Sequence, residues 1–249
     1  MIDIFNAYEY TKEFMEPHHY TIMETLLYIT SSTALFSLLD AYVFRHRAGS
    51  YYAIHALCNA AIIGITIPDV IAIYTSPTQN ALTQSNAIYA SSLTYGLHFY
   101  HIILYRAKLR FDDYLHHSLM IFVALPLANY FGSVNLLGHS LFYTTGLPGM
   151  IDYACLYAVR NKYIHRLTEK LINRFLNTYI RNPGCTIHAF ITLITVIQSP
   201  DMSLINTIIA FITSMLVFWN GVYFMDQVVG NYYIQNNEQR QTLPKNYDD

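Results

Sequence analysis

The sequence predicts an all-α integral membrane protein: a bundle of seven transmembrane helices with its N-terminus outside or lumenal and its C-terminus cytosolic. Three observations predict this class. The 249-residue chain is 53% hydrophobic and only 12% charged, whereas soluble domains carry about 25% charged residues. It contains seven long apolar stretches, most of which reach the ~20 residues that cross a bilayer. Basic residues between these stretches occur in every second loop.

The predicted spans are joined by short connections, and two of them need a few more residues at their ends to cross a bilayer. They run over residues 20–42, 51–74, 86–105, 114–130, 134–159, 184–198 and 204–225. No cleavable signal peptide is predicted, because the first apolar run is too long for one. The three cysteines show no CxxC spacing and are predicted to be small buried thiols.

The orientation follows from the lysine and arginine residues of the loops, because cationic side chains are retained on the cytosolic side. Of the 14 basic residues, 13 fall in alternate connections and in the C-terminal tail, which leaves only Lys12 on the other side. The net charge of −2 gives no electrostatic footprint for a nucleic acid. We therefore expect a cytosolic C-terminus and no nucleic-acid partner.

One membrane domain is predicted over residues 20–230, between a polar N-terminal segment at 1–19 and a polar, disordered cytosolic tail at 231–249. Within this domain, apolar residues recur at helical spacing over 162–181, opposite a basic face. A basic amphipathic helix of this kind lies at the membrane interface. The alternative is that its basic face simply contacts cytosolic water.

The fifth stretch contains a predicted break at Gly146-Leu147-Pro148-Gly149. Pro148 has no N–H to donate to the carbonyl of Thr144. Inside a membrane such a break persists only where protein or a water-filled cavity satisfies the freed carbonyl. The break is therefore either a packing kink or a cavity wall, and the nearby Asp152 favours a cavity.

Polar and titratable residues of several spans converge on the cytosolic third of the membrane, at depths counted as about 1.5 Å per residue. An ionisable residue inside a span usually marks a site or a pathway. The predicted substrate-binding residues are His55, His98, His101, His188 and Asn220. Asp226 lies at a similar depth, whereas Asp69 and His139 fall in the outer half.

The densest polar run spans residues 113–117, where the fourth span begins. Asp113 precedes His117 by one helical turn, so its carboxylate can orient the imidazole. Histidine, with an unperturbed pKa of about 6.5, suits general acid–base catalysis. Adjacent histidines point about 100° apart on a helix, so we expect one of the pair to face a cavity and the other a neighbouring helix. The candidate catalytic residues are His116, His117, Asp113 and Asp152.

A metal centre is the competing interpretation of these histidines. The spacing His98-x-x-His101 and the His116-His117 pair resemble fragments of the histidine boxes of membrane di-iron hydroxylases and desaturases. No box is complete, since Asp113 stands where HxxHH needs its first histidine. We therefore assign no metal ligands, and a single bound ion stays an open alternative.

Three short segments occur in an order that is found in a known family. Residues 47–56 read RAGSYYAIHA, a basic loop followed by a helix start with a histidine–alanine pair. An aromatic-rich run from Tyr95 to Tyr105 then leads through a basic loop to the pair at 116–117. Over residues 46–227 the chain resembles the TLC domain family, which includes the ceramide synthases.

The resemblance implies acyl transfer to a membrane lipid by His116 and His117, with acyl-CoA as the co-substrate. It also implies residence in the endoplasmic reticulum or another endomembrane. Ceramide synthases carry an H-D-x-x-D phrase one helix after the histidine pair, where this chain has Asp152 and no histidine. The resemblance thus implies a divergent member that is not a ceramide synthase.

The leading hypothesis is a protein that binds, senses or modifies a lipid in a cytosolic-side cavity. Two alternatives stay open: an elongase-like condensing enzyme, which the missing first histidine of HxxHH disfavours, and a proton or ion channel or transporter. The channel would use His55, His98, His101 and Asp152. No cofactor is assigned beyond acyl-CoA, and the oligomeric state is left open.

Overall fold

The computed structural model describes residues 21–109 and 111–242, and this part of the chain is 85% helical with no strand. The α-helices are α1 Ile22–Leu38, α2 Ser50–Thr75, α3 Pro77–Asn80, α4 Ala87–Tyr105, α5 Phe111–Leu119, α6 Leu125–Ala128, α7 Asn135–Leu141, α8 Leu147–Arg160, α9 Arg166–Leu176, α10 Asn182–Ile197 and α11 Leu204–Thr242. Several of them are extended or joined by π-helical segments, at Leu39–Val43, Met120–Ala124, Phe142–Gly146 and Asn177–Arg181.

Helix length and composition confirm the all-α membrane class. Among the described residues, four helices are long and apolar enough to cross a membrane: Ile22–Val43, Ser50–Thr75, Arg166–Ile197 and Leu204–Gln239. The other three predicted stretches are helical over most of their lengths. The number of seven spans and their orientation remain predictions.

Large apolar side chains cover the outer surface of the bundle. Ile22, Phe122 and Ile197 are each at least 75% exposed. In water such a surface would be an unusually large apolar patch, whereas hydrocarbon tails solvate it without cost. The outer surface therefore fits a lipid environment.

α1 packs closely against α4 through small residues. The hydroxyl of Ser32 donates to the carbonyl of Ser92 at 3.3 Å, and that of Thr33 donates to the carbonyl of Gly96 at 3.4 Å. A Cβ atom added at Gly96 would overlap the side chain of Ser32. Small residues of this kind let two helix backbones approach within a membrane, where packing and hydrogen bonds hold helices together.

α2 lies at the centre of the bundle and packs against α4, α7 and α8. Ile54 and Ile62 on its inward face are fully buried. They join Tyr100 of α4 and Leu141 of α7 in the main apolar core. Polar residues on the same helix can therefore contact side chains from α4 on one side and from α8 on the other.

At the predicted break in the fifth stretch, the structure has a π-helical segment inside a helix that is continuous over residues 135–160. A π-helical segment ends at Gly146, and Pro148 lies in the first turn of α8. The carbonyl of Thr144, which Pro148 leaves free, accepts a hydrogen bond from Nη2 of Arg181 at 3.0 Å. A protein group thus satisfies this carbonyl. Gly149 has no Cβ, and this lets the side-chain amide of Asn59 lie close against α8.

α9 and α10 form one continuous helix through the π-helical segment between them. The sequence predicts an interfacial helix over 162–181 and a separate span from 184, but no break separates them. Pro183 lacks an N–H and its ring excludes the usual bond to the preceding turn. The π-helical segment that precedes Pro183 widens the helix there, so that the chain passes the proline without a break.

The inward face of α9 is polar. Glu169 and Asn173 are buried, whereas Leu171 and Phe175 are exposed. The polar side of this amphipathic helix therefore faces its neighbours, and the apolar side faces outward. Its position relative to the membrane interface remains a prediction.

α11 packs against α9 and α10 and extends well beyond the predicted seventh span. The sequence predicts a disordered tail from residue 231, but the helix continues to Thr242. Arg174 anchors this extension, because its guanidinium lies 4.5 Å above the ring of Tyr232 and donates to the hydroxyl of Tyr233 at 3.3 Å. Residues 243–249 and the predicted N-terminal segment 1–19 lie outside the described residues.

Candidate functional site

Side chains from α2, α4, α5 and α8 surround a cavity of about 110 Å³. α2 supplies Tyr51, His55 and Asn59, which are spaced four residues apart and so share one face of the helix. The volume accommodates several water molecules. It is well below the roughly 300 Å³ at which pockets begin to hold a whole drug-sized ligand, so only the reacting group of a larger molecule fits inside.

α4 presents His98 and His101 to the cavity, one turn apart on the same face. Nδ1 of His98 lies 2.7 Å from the backbone carbonyl of Thr94. A carbonyl only accepts, so Nδ1 carries the proton and Nε2 carries the lone pair. Nε2 is buried and has no hydrogen-bond partner within the described part of the chain.

α5 brings both histidines of the predicted pair to His98. The ring centroids of His116 and His117 lie 5.5 Å and 5.0 Å from that of His98. His117 is buried, whereas His116 is exposed although it also lines the cavity. The expectation that only one of the pair faces the cavity is therefore wrong, because His98 packs against both rings.

The exposure of His116 marks an opening of the cavity on the α5 side. Phe111, Leu115 and Leu119 on the same helix are also exposed. α5 thus carries exposed apolar side chains beside the exposed His116.

His55 and His101 extend the row of rings into the bundle. His101 lies 4.6 Å from His117 and 5.7 Å from His55, between ring centroids. Nδ1 of His55 donates to the carbonyl of Tyr51 at 2.9 Å, which leaves its Nε2 as an acceptor. The ring of Tyr153, from α8, packs 4.4 Å from that of His55.

The structure thus brings together six of the residues that the sequence singles out. The cavity is lined by His55, His98, His101, Asp113, His116 and His117. Asp113 is half-buried among these imidazoles. Among the described residues that line this cavity, Asp113 is the only carboxylate.

Asp152, His188 and Asn220 do not line this cavity. On α8, Tyr153 lines the cavity and the preceding Asp152 does not. One atom of the Asp152 carboxylate, Oδ1, is buried without a hydrogen-bond partner among the described residues. The structure therefore separates these three residues from the histidine pair with which the sequence groups them.

His188 belongs to a second polar cluster, around His139. Their rings are stacked with centroids 5.5 Å apart. The rings of Tyr74 and Tyr143 pack on His139 at 5.6 Å and 5.0 Å. The sequence places His188 and His139 at different depths. Depth counted from residue 184 is misleading, because the helix actually begins at Arg166.

Sequence reasoning missed four polar residues of the cavity wall. These are Tyr51, Asn59, Thr145 and Tyr153. The hydroxyl of Thr145 donates to Oδ1 of Asn59 at 2.9 Å and so links α2 to the π-helical segment before α8. The four-residue spacing of Tyr51, His55 and Asn59 in an apolar helix was a detectable signal. No pattern in the sequence marks Thr145, which lies in the π-helical segment, or Tyr153, which lies in the helix after it.

No family model, no curated protein and no solved structure matches this chain. Its class therefore rests on the fold and the site: an α-helical membrane protein with a histidine-lined cavity inside its bundle. The cavity offers imidazole acceptors, tyrosine and threonine hydroxyls and a single acid. This set is suited to transferring protons and to binding a metal ion.

Proposed function

We propose that this protein is a divergent TLC-type membrane protein that binds a lipid and modifies it in the histidine-lined cavity. The observation that carries the proposal is the opening at His116, which joins a polar cavity to the apolar surface of α5. The hydrocarbon chains of a lipid would remain in the bilayer. Its polar group alone would enter a space of about 110 Å³.

The reaction that suits this arrangement is acyl transfer to a lipid hydroxyl or amine. The lone pair of an imidazole accepts the proton of that group as its oxygen or nitrogen attacks the carbonyl carbon of an acyl thioester. The new ester or amide bond forms, the carbon–sulfur bond breaks, and the proton passes to the departing thiolate. Acyl-CoA is the thioester that this proposal names as co-substrate.

Within this scheme His117 accepts the proton, and the exposed His116 contacts the incoming lipid. Asp113 stabilises the imidazolium that forms. His55, His98 and His101 hold the polar group of the lipid in the cavity. We propose the endoplasmic reticulum or another endomembrane as the location, because acyl-CoA and lipid acceptors meet there.

Lipid analysis of microsomes tests this function. Microsomes that express the wild-type chain should show an altered acyl-lipid profile relative to empty-vector microsomes, and His117→Ala should abolish the change. Two controls should retain it: His46→Ala, an exposed loop residue, and His139→Ala, which is buried outside the cavity. An unchanged wild-type profile at normal expression would refute the proposal.

A proton path is the second candidate, and the continuous row of imidazole rings favours it. His55, His101, His117 and His98 follow one another at centroid distances of 5.7, 4.6 and 5.0 Å. Liposomes containing the purified chain would then show a proton flux that His101→Phe removes. Flux without any change in lipids would replace the first proposal with this one.

A further inference from the structure

The geometry points to a metal site: we propose that His98, His116 and His117 bind one divalent transition-metal ion, with zinc as the preferred ion. Each of the three side chains offers one ring nitrogen, and these three nitrogens all lie within 4.8 Å of one another. The ligands come from two helices, α4 and α5. The site can bind a metal whether or not the protein modifies a lipid, but a bound ion would take the proton-accepting role from His117 and leave it to His101.

The separation of the nitrogens suits an ion after a small adjustment. Zinc–nitrogen bonds of about 2.0–2.1 Å in tetrahedral geometry place the ligand nitrogens about 3.3 Å apart. The three nitrogens lie within 4.8 Å of one another, which is close enough for small rotations of the rings to reach this spacing around an ion. His116, the exposed member of the set, has the most room to rotate.

The backbone prepares His98 to act as a ligand. Its Nδ1–H donates to the carbonyl of Thr94 at 2.7 Å, which directs the lone pair of Nε2 toward the other two rings. Metal-binding histidines characteristically donate their second ring N–H to a carbonyl or carboxylate, because that bond fixes the tautomer and the ring orientation. His98 already makes this bond.

Two ring nitrogens of these histidines have no hydrogen-bond partner among the described residues. Nε2 of His98 and Nδ1 of His117 are buried and accept no hydrogen bond from any described residue. Both side chains are more than nine-tenths buried. Buried polar atoms are otherwise almost always paired, so a bound ion supplies the missing interaction.

The chemistry of the donors selects the kind of ion. Neutral imidazoles suit zinc, copper, iron and nickel, whereas magnesium and calcium prefer oxygen ligands. Three protein nitrogens leave a fourth tetrahedral position, and the cavity of about 110 Å³ provides space for a water molecule there. An arrangement with three histidine ligands and one open position is typical of catalytic rather than structural zinc.

An ion at this place changes what the neighbouring histidines do. With their lone pairs bound to the metal, His116 and His117 no longer accept protons. His101, whose ring is 4.6 Å from that of His117, and His55 behind it remain available for proton transfer. The ion itself would polarise a carbonyl oxygen that reaches the open position.

Metal uptake by the full-length chain in detergent tests the site. The purified protein is stripped with a chelator, dialysed, titrated with Zn²⁺ and analysed for bound metal. Wild-type protein should retain about one ion per chain. His98→Ala, His116→Ala and His117→Ala should each weaken binding by more than about 10- to 100-fold, the range for loss of a group that only hydrogen-bonds to a metal ligand.

Two matched variants separate this site from non-specific binding to histidines. His139→Ala and His188→Ala alter the second buried cluster and should leave uptake at the wild-type level. Substitution with Co²⁺ adds a spectroscopic readout, because a tetrahedral site gives strong visible absorption that His116→Ala should remove.

Because His116 is exposed, His116→Ala is the ligand variant expected to disturb folding least. Gel filtration shows whether each variant remains folded and unaggregated. Wild-type protein that takes up no stoichiometric zinc would overturn the proposal. Equal uptake by wild type and by all three ligand variants would overturn it as well. Zinc binding without any change in lipids would leave the metal site standing and refute only the lipid function.

Discussion

Arg181 donates from Nη2 to the carbonyl of Thr144 at 3.0 Å, which is the carbonyl that Pro148 leaves without its helical partner. By sequence alone, Arg181 counts among the cytosolic loop charges. In the structure its guanidinium instead lies over the ring of Phe224 at 4.7 Å and also donates to Asn177. Arg181, which the sequence analysis counts as a topology signal, therefore satisfies a carbonyl of the π-helical segment in the fifth stretch.

Replacing Arg181 with methionine should destabilise the fold. The substitution keeps much of the side-chain volume but removes the donor to Thr144, and an unsatisfied buried carbonyl costs about 1–3 kcal/mol. The thermal unfolding midpoint in detergent should fall. Pro148→Ala restores a backbone N–H near that carbonyl, so Arg181→Met should cost less in that background. Equal costs in both backgrounds would show that the two residues are not coupled.

Gly96→Ala should weaken the packing of α1 on α4. The added Cβ would overlap the side chain of Ser32 and lie 3.1 Å from the backbone nitrogen of Thr33. Overpacking of this kind costs about 1–3 kcal/mol.

Gly64→Ala is the matched control for this substitution, because nothing lies within 4 Å of the position that its new Cβ would occupy. Alanine is the better helix former by about 1 kcal/mol, so this variant should be neutral or stabilised. Comparison of the two unfolding midpoints in detergent is the measurement. A Gly96→Ala protein as stable as the Gly64→Ala protein would contradict the close packing.

His46 and Gln79 should label from opposite sides of the membrane. Both are exposed and flank α2, whose 26 residues extend roughly 39 Å at 1.5 Å each, more than the ~30 Å hydrocarbon core. In a chain with all three native cysteines replaced by alanine, His46→Cys should react with an impermeant maleimide in sealed microsomes. Gln79→Cys should react only after permeabilisation. The reverse pattern would invert the proposed topology.

Substitutions in the two histidine clusters should have different effects on the proposed lipid activity. His117→Ala removes the proposed proton acceptor from the cavity and should lower the rate by about 10²- to 10⁴-fold, as loss of a proton-transfer group does. His188→Ala, equally buried but stacked on His139, should leave the lipid profile unchanged. If His188→Ala abolished the activity as well, the second cluster would belong to the same site.

Asp152→Asn tests whether the sequence or the structure places that residue correctly. The sequence predicts a catalytic acid at Asp152, whereas the structure turns Tyr153 toward the cavity instead. The variant should therefore retain the lipid change while His117→Ala loses it. Loss of activity in Asp152→Asn at an unchanged unfolding midpoint would restore its catalytic role.

The sequence by itself determined the class of the protein and the identity of most cavity histidines. Apolar composition and length are local properties, so they were enough to predict helices where Ser50–Thr75 and Leu204–Gln239 are found. The i, i+3 spacing of His98 and His101 and the adjacency of His116 and His117 likewise needed no tertiary information. A shared depth then predicted that these residues would meet.

Only the tertiary structure decided which polar residues share a site. A π-helical segment adds one residue to a turn and rotates all that follows by about 100°. Tyr153, which follows such a segment, lines the cavity, whereas Asp152 does not. His188 lies on the continuous helix that begins at Arg166, and its ring stacks on that of His139. Arg181 lies within the bundle and donates to the carbonyl of Thr144. Such pairings depend on how whole helices pack, which no local pattern in the sequence contains.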